Sequence, residues 1–135
     1  MWSHPLKRSL NGQPRFHDTS LYVRSEHLQA FDRDSGSRRW VADNSITLGE
    51  TLRFSRDGEI VYIPDRHALI AIATTDGEEL WRFNDERLAA MERGQSEFEM
   101  DLEATGAVPA PDGGSVFLNT KHRGLFQFGT DGTLR

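Results

Sequence analysis

The sequence predicts an all-β protein of β-propeller blades: three four-stranded antiparallel units, with one short helix inserted between the second and third. Three observations point there. A pattern of turn aspartate, aromatic residue, glycine and tryptophan occurs as Asp18, Tyr22, Gly36, Trp40 and again as Asp57, Tyr62, Gly77, Trp81; a third copy runs Asp112, Phe117, Gly132. The period is near 40 residues, with Tyr22 and Tyr62 separated by 40 and Trp40 and Trp81 by 41. Each copy divides into short apolar runs between Asp- and Gly-bearing turns, which is how four-stranded blades repeat along a chain.

Residues 1–13 form an N-terminal segment, a candidate closing strand. Trp2-Ser3-His4-Pro5 matches the start of a common affinity tag, but Leu6-Lys7-Arg8 departs from it, so the segment is read as native. Blade 1 is assigned to residues 14–44, blade 2 to 45–84 and blade 3 to 105–135. In each, a short segment precedes a turn: Pro14–His17, Thr51–Ser55 and Ala107–Ala110. Asp57-Gly58 and Asp112-Gly113 reach the positive backbone angles of tight hairpins, and Asp18-Thr19 is a weaker version. The next strands, Leu21–Val23, Ile60–Ile63 and Val116–Leu118, are β-branched and aromatic. The third strands are Leu28–Phe31, Leu69–Ile72 and Leu125–Phe128. The first and last alternate as strands with one wetter face, whereas the middle one is apolar throughout, so both of its faces should be covered. Second turns at Gly36, Gly77 and Gly132 lead to fourth strands at Arg38–Val41 and Glu79–Phe83. Copy three offers only Thr133-Leu134-Arg135, where spacing places the next tryptophan one residue further on. Residues 85–104 hold an insert whose helix formers, Asn84 cap and closing Gly94 predict one short helix.

Composition narrows the function classes. Hydrophobic content of 36% and charged content of 27% describe a globular chain. No apolar run approaches the length of a membrane helix. The absence of cysteine removes disulfides, thiolate metal sites and a cysteine nucleophile, and with no apolar leader it suggests a cytoplasmic protein. A net charge of −5 without a long basic block disfavours nucleic acid.

The stretch from Tyr62 to Trp81 resembles a pyrroloquinoline-quinone-like (PQQ-like) propeller repeat: an aromatic strand, a turn, a Leu-x-Ala strand, a polar pair, Gly and Trp. Leu28-Gln29-Ala30-Phe31-Asp32 with Gly36 and Trp40 matches closely, while copy three carries Gln127 for the alanine. The resemblance implies that glycine and tryptophan are structural, with the tryptophan wedged between neighbouring blades. The family includes quinone-dependent dehydrogenases, outer-membrane assembly scaffolds and sensor domains of bacterial kinases. Its dehydrogenases carry a calcium site, an aspartate base and often vicinal cysteines, and no set of carboxylates here maps onto that site. No enzyme activity and no cofactor are therefore expected.

His27, His67 and His122 each fall five residues after the blade aromatic. They are weak metal candidates, better read as solvated turn residues too far apart to share an ion. The turn aspartates are explained by turn chemistry, and Arg38-Arg39 by an exposed strand face. The alternating run Glu97–Glu103 reads as a one-sided strand, or as a partner-docking stripe through Phe98, Met100 and Leu102. Tyr22, Gly36, Trp40, Tyr62, Gly77, Trp81, Phe117 and Gly132 are structural repeat residues, and Trp2 and Leu134 are assigned to closure.

Three blades do not readily close a ring, since propellers have about four to eight. The expectation is a non-enzymatic binding or interaction scaffold that completes six blades as a homodimer, with Trp2 taking the place of the tryptophan missing from blade 3. Alternatives are a fragment split from a larger propeller or a quinoprotein dehydrogenase, and a small acidic inhibitor or immunity-like protein with a basic protein partner.

Overall fold

Turn chemistry spaces the strands. Gly58 and Gly113 hold φ of +76° and +77° at the first hairpin of blades 2 and 3, and Asp18 takes φ of +55° at the same place in blade 1. A left-handed aspartate costs less than most side chains there, because its carboxylate can bond locally. The computed structural model describes residues 2–3, 14–25, 27–45, 52–65, 68–84, 104–121 and 124–135.

Eleven strands form three antiparallel sheets among those residues. The first holds β1 (Arg15–His17), β2 (Ser20–Arg24), β3 (His27–Asp32) and β4 (Arg38–Ser45) in sequential order. The second repeats it with β5 (Arg53–Phe54), β6 (Ile60–Asp65), β7 (Ala68–Ala73) and β8 (Glu79–Asn84). The third has β9 (Ala104–Pro109), β10 (Ser115–Thr120) and β11 (Leu125–Gly129). In place of a fourth strand it carries a single bridge between Phe128 and Leu134. The predicted helix falls within residues 85–103, outside the described residues, which contain no helix.

Registers match from blade to blade. Arg15, Tyr22, Ala30 and Trp40 stand opposite one another across sheet one, and Arg53, Tyr62, Ala71 and Trp81 across sheet two. Val108, Phe117 and Gln127 form the same row in sheet three. The two alanines have a physical purpose: each faces an indole directly, and a larger side chain would occupy its space. Beside each tryptophan the register slips by one, so that Phe31 meets Arg38 and Ile72 meets Glu79. An extra residue in one strand re-aims its neighbours, here just before the residue that crosses to the next blade.

Two apolar cores lie between the sheets. Tyr22, Leu28, Ala30 and Trp40 of blade 1 meet Val61, Ile63, Ile70 and Ile72 of blade 2. Tyr62, Leu69, Ala71 and Phe83 on the other side of blade 2 meet Val116, Leu118 and Phe128 of blade 3. Strand β7 thus serves both cores, as its continuous apolar run requires. Strand β3 departs from its expected alternation: Gln29 and Phe31 are buried as well as Leu28 and Ala30. Trp2 stacks beside Phe31, and Gln29 donates to the Ser25 hydroxyl, so the face expected to be wet is covered.

Carboxylates lock the turns. The Oδ1 of Asp57, Asp76, Asp112 and Asp131 each accepts from the backbone N–H two residues on, at 2.8–3.0 Å. Asp32 accepts from the backbone N–H groups of Asp34 and Ser35 and pairs with Arg39 at 2.8 Å. The Ser35 N–H first, and Arg39 next, hold its carboxyl far below the ordinary range. Ser55 lowers Asp57 in the same way, and Thr133 lowers Asp131.

Depressed carboxylate values stabilise the fold above the unfolded value near pH ~4, and that contribution disappears as pH falls through the folded value. The melting temperature should therefore drop as pH is lowered from about 5 to 2, and Asp32→Asn should flatten part of that slope. A variant with the wild-type slope would exclude Asp32 from the acid transition. For the blade contacts, Trp40→Ala should cost about 3–5 kcal/mol in urea unfolding. Gly77→Ala should cost at least about 1–3 kcal/mol, because its φ is +78° and a Cβ would lie 2.4 Å from the Trp40 ring.

Candidate functional site

The repeated tryptophan is a wedge whose seat is the glycine of the next blade. Trp40 of blade 1 lies on Gly77 of blade 2, and Trp81 of blade 2 lies on Gly132 of blade 3. Each indole also donates from Nε1 to a backbone carbonyl in the second turn, Trp40 to Thr74 and Trp81 to Thr130, both at 2.8 Å. Tyr22 tilts against Trp40 at 5.9 Å and Tyr62 against Trp81 at 6.0 Å, behind each wedge. Burial lifts both phenols above the ordinary tyrosine value, as expected of packing residues.

Blade 1 has the same seat, and Trp2 occupies it. A Cβ at Gly36 would lie 2.3 Å from the Trp2 ring, and Trp2 Nε1 donates to the Arg33 carbonyl at 3.1 Å. The spacing repeats too: Trp2 precedes Arg15 by 13 residues, as Trp40 precedes Arg53. Trp2 therefore holds the position that belongs to the outer strand of a preceding blade.

Blades 1 and 3 leave apolar residues uncovered among the described residues. Blade 3 turns outward the face that is buried in blades 1 and 2. Phe117, at the place of the buried Tyr22 and Tyr62, is only half-buried, and Leu125, at the place of the buried Leu28 and Leu69, is 65% exposed. On blade 1 the unmatched residue is Phe16, 64% exposed. Its counterpart Phe54 packs against Tyr22 of the neighbouring blade at 4.9 Å. Leu134, which bridges to Phe128, is 37% exposed.

Of the weak metal candidates, His27 lies on β3 with its Nδ1 buried and without a partner among the described residues. His67 and His122, like the run 97–103, lie outside the described residues. Those residues bring together no group of three His, Cys, Asp or Glu able to hold a metal. Arg38 and Arg39 are both exposed, and Arg39 also bonds to Ser20, Thr19 and Asp32, tying β4 to the first hairpin. No helix among the described residues is long and apolar enough to cross a membrane.

Comparison with known proteins agrees with this architecture. BamB from Moraxella catarrhalis superposes with a TM-score of 0.66 at 19% identity, over 95% of this chain and 34% of that one. The computationally designed Ika8 protein gives 0.63 at 12% identity, over 87% and 32%. KlHsv2 with loop 6CD replaced by a Gly-Ser linker gives 0.61 at 14%, over 86% and 36%. The chain thus spans about a third of the length of these structures. Among curated proteins none matches the chain by sequence. The sequence profile of one family, described as outer membrane protein assembly factor BamB, matches residues 1–130. A PQQ-like repeat, blades joined by tryptophan wedges and a profile running through nearly all of its length place this chain in the BamB family.

Proposed function

We propose that this chain is a non-enzymatic interaction scaffold, and that it works by closing a propeller with a second copy of itself. The observation that carries the reading is Trp2 seated on Gly36, as Trp40 is seated on Gly77, in a chain whose third blade has three strands among the described residues. If the outer strand of each copy completes blade 3 of the other, six blades result. Phe16 of one copy then meets Phe117 of the other, as Phe54 meets Tyr22 within the chain. The faces are apolar and otherwise exposed, and such surfaces favour association. A C2 arrangement uses both contacts twice, which satisfies closure.

Family membership supports a role in binding proteins, and the description of the namesake suggests assembly at the outer membrane. A cytoplasmic location, the expectation from sequence, is a proposal beside that one. A fragment of a longer propeller would use the same two faces for blades elsewhere in its own chain.

Sedimentation equilibrium tests the closure. The dimer should appear at twice the 15.3 kDa chain mass. Phe16→Glu and Leu125→Arg should each shift the population to monomer, and deletion of residues 1–10 should do the same. A wild-type chain that sediments as a folded monomer at high concentration would overturn the homodimer, as would a dimer indifferent to both face substitutions.

A further inference from the structure

We infer that the inner strands of the three blades form a receptor for an acidic peptide segment, in which carboxylates flank an apolar side chain. β1, β5 and the end of β9 enclose a cleft of about 450 Å³ lined by Arg15, Arg53, Arg56, His17, Phe54 and Val108, among others. That volume lies in the usual range of ligand sites, about 300–1,000 Å³. Three guanidinium groups are gathered here in a chain whose net charge is −5. None forms an ion pair with a described carboxylate; the described pairs are Arg33 with Asp34, Arg39 with Asp32 and Arg82 with Glu79.

The nearby turn carboxylates are committed to their own hairpins. Asp57 accepts from the Ser55 hydroxyl at 2.6 Å and the Glu59 N–H at 3.0 Å, and Asp112 accepts from the Gly114 N–H at 2.8 Å. Asp18 is exposed at its own turn. Blade packing does not require the arginines. Arg15 and Arg53 occupy the same row position as Val108, where an apolar residue serves equally well.

Apolar walls select the kind of anion. Phe54 lies flat on the His17 ring at 4.1 Å and 2°, and Val108, Pro109 and Pro111 form the opposite side. A free phosphate would leave those walls in water, while a peptide can pair its carboxylates with the guanidinium forks and lay an apolar side chain between them. Because the whole chain is acidic, attraction is short-range and local, which makes it sensitive to salt.

The test is fluorescence anisotropy with the full chain and a labelled peptide of alternating Glu and Leu, beside the peptide with Gln for Glu. The acidic peptide should bind roughly tenfold or more tightly than the Gln peptide and weaken as salt rises. Arg53→Val, which installs the residue of the equivalent position in blade 3, and Arg56→Gln should each lower affinity by a similar factor without altering the circular dichroism. Sedimentation of the same samples keeps this result separate from ring closure, since the cleft lies within one chain. The receptor is overturned if the two peptides bind alike, if both variants bind as wild type, if millimolar phosphate displaces the peptide, or if an oligothymidylate binds more tightly than the acidic peptide.

Discussion

The tryptophan-on-glycine wedge is the constraint from which the rest of the molecule follows. A sheet with two apolar faces is insoluble alone, so each blade must cover its neighbour, and the wedge sets the angle at which it does so. An indole lying on a backbone needs a residue without a Cβ beneath it, and the left-handed φ of Gly36, Gly77 and Gly132 needs glycine for a second reason. The indole N–H then finds a carbonyl in the same turn, which removes the cost of burying it unpaired. One contact therefore combines apolar burial, a hydrogen bond and a fixed crossing geometry. Alanine opposite each tryptophan and the register slip beside it are adjustments to that contact.

Each wedge has a direction: a blade supplies the indole and its successor supplies the seat. An arc built this way has two unlike ends. At one end Trp2 fills the seat of blade 1, and at the other Phe117 and Leu125 have no following blade among the described residues. The inner surface differs from both ends. On the inner strands Phe54 packs against Tyr22, while Arg15, Arg53 and Arg56 line the cleft, where charge can vary without disturbing the cores. Packing faces and chemical face are thus separated within each blade, along the strand order from outer to inner.

Much of the fold was legible because it rests on local and repeated signals. The Asp-Gly turns, the β-branched second strands and the apolar run of β7 each have a near-neighbour cause, and three registers in agreement make the period plain. Other features were hidden because their causes are distant. The alternation of Leu28 to Phe31 suggested a wet face, yet Trp2, far away in sequence, stacks beside Phe31. Arg39 is an exposed strand residue that also reaches back to Ser20 and Asp32, a contact its position in the chain does not announce. Asp32 anchors the second turn of blade 1, a role that depends on Ser35 and Arg39 converging on one carboxylate.

By itself the sequence determined the four-strand pattern of blades 1 and 2, the turn positions and the identity of the wedge residues, because hairpin geometry and hydrophobic period act over a few residues. It also marked Trp2 as the tryptophan out of series. Only the tertiary structure decided where that indole goes, onto Gly36 of its own blade 1, and which apolar residues remain uncovered. It alone gathered three arginines from two blades around one cleft. Those outcomes depend on which faces meet once the sheets stack, and contact between residues distant in the chain is the information that periodicity does not carry.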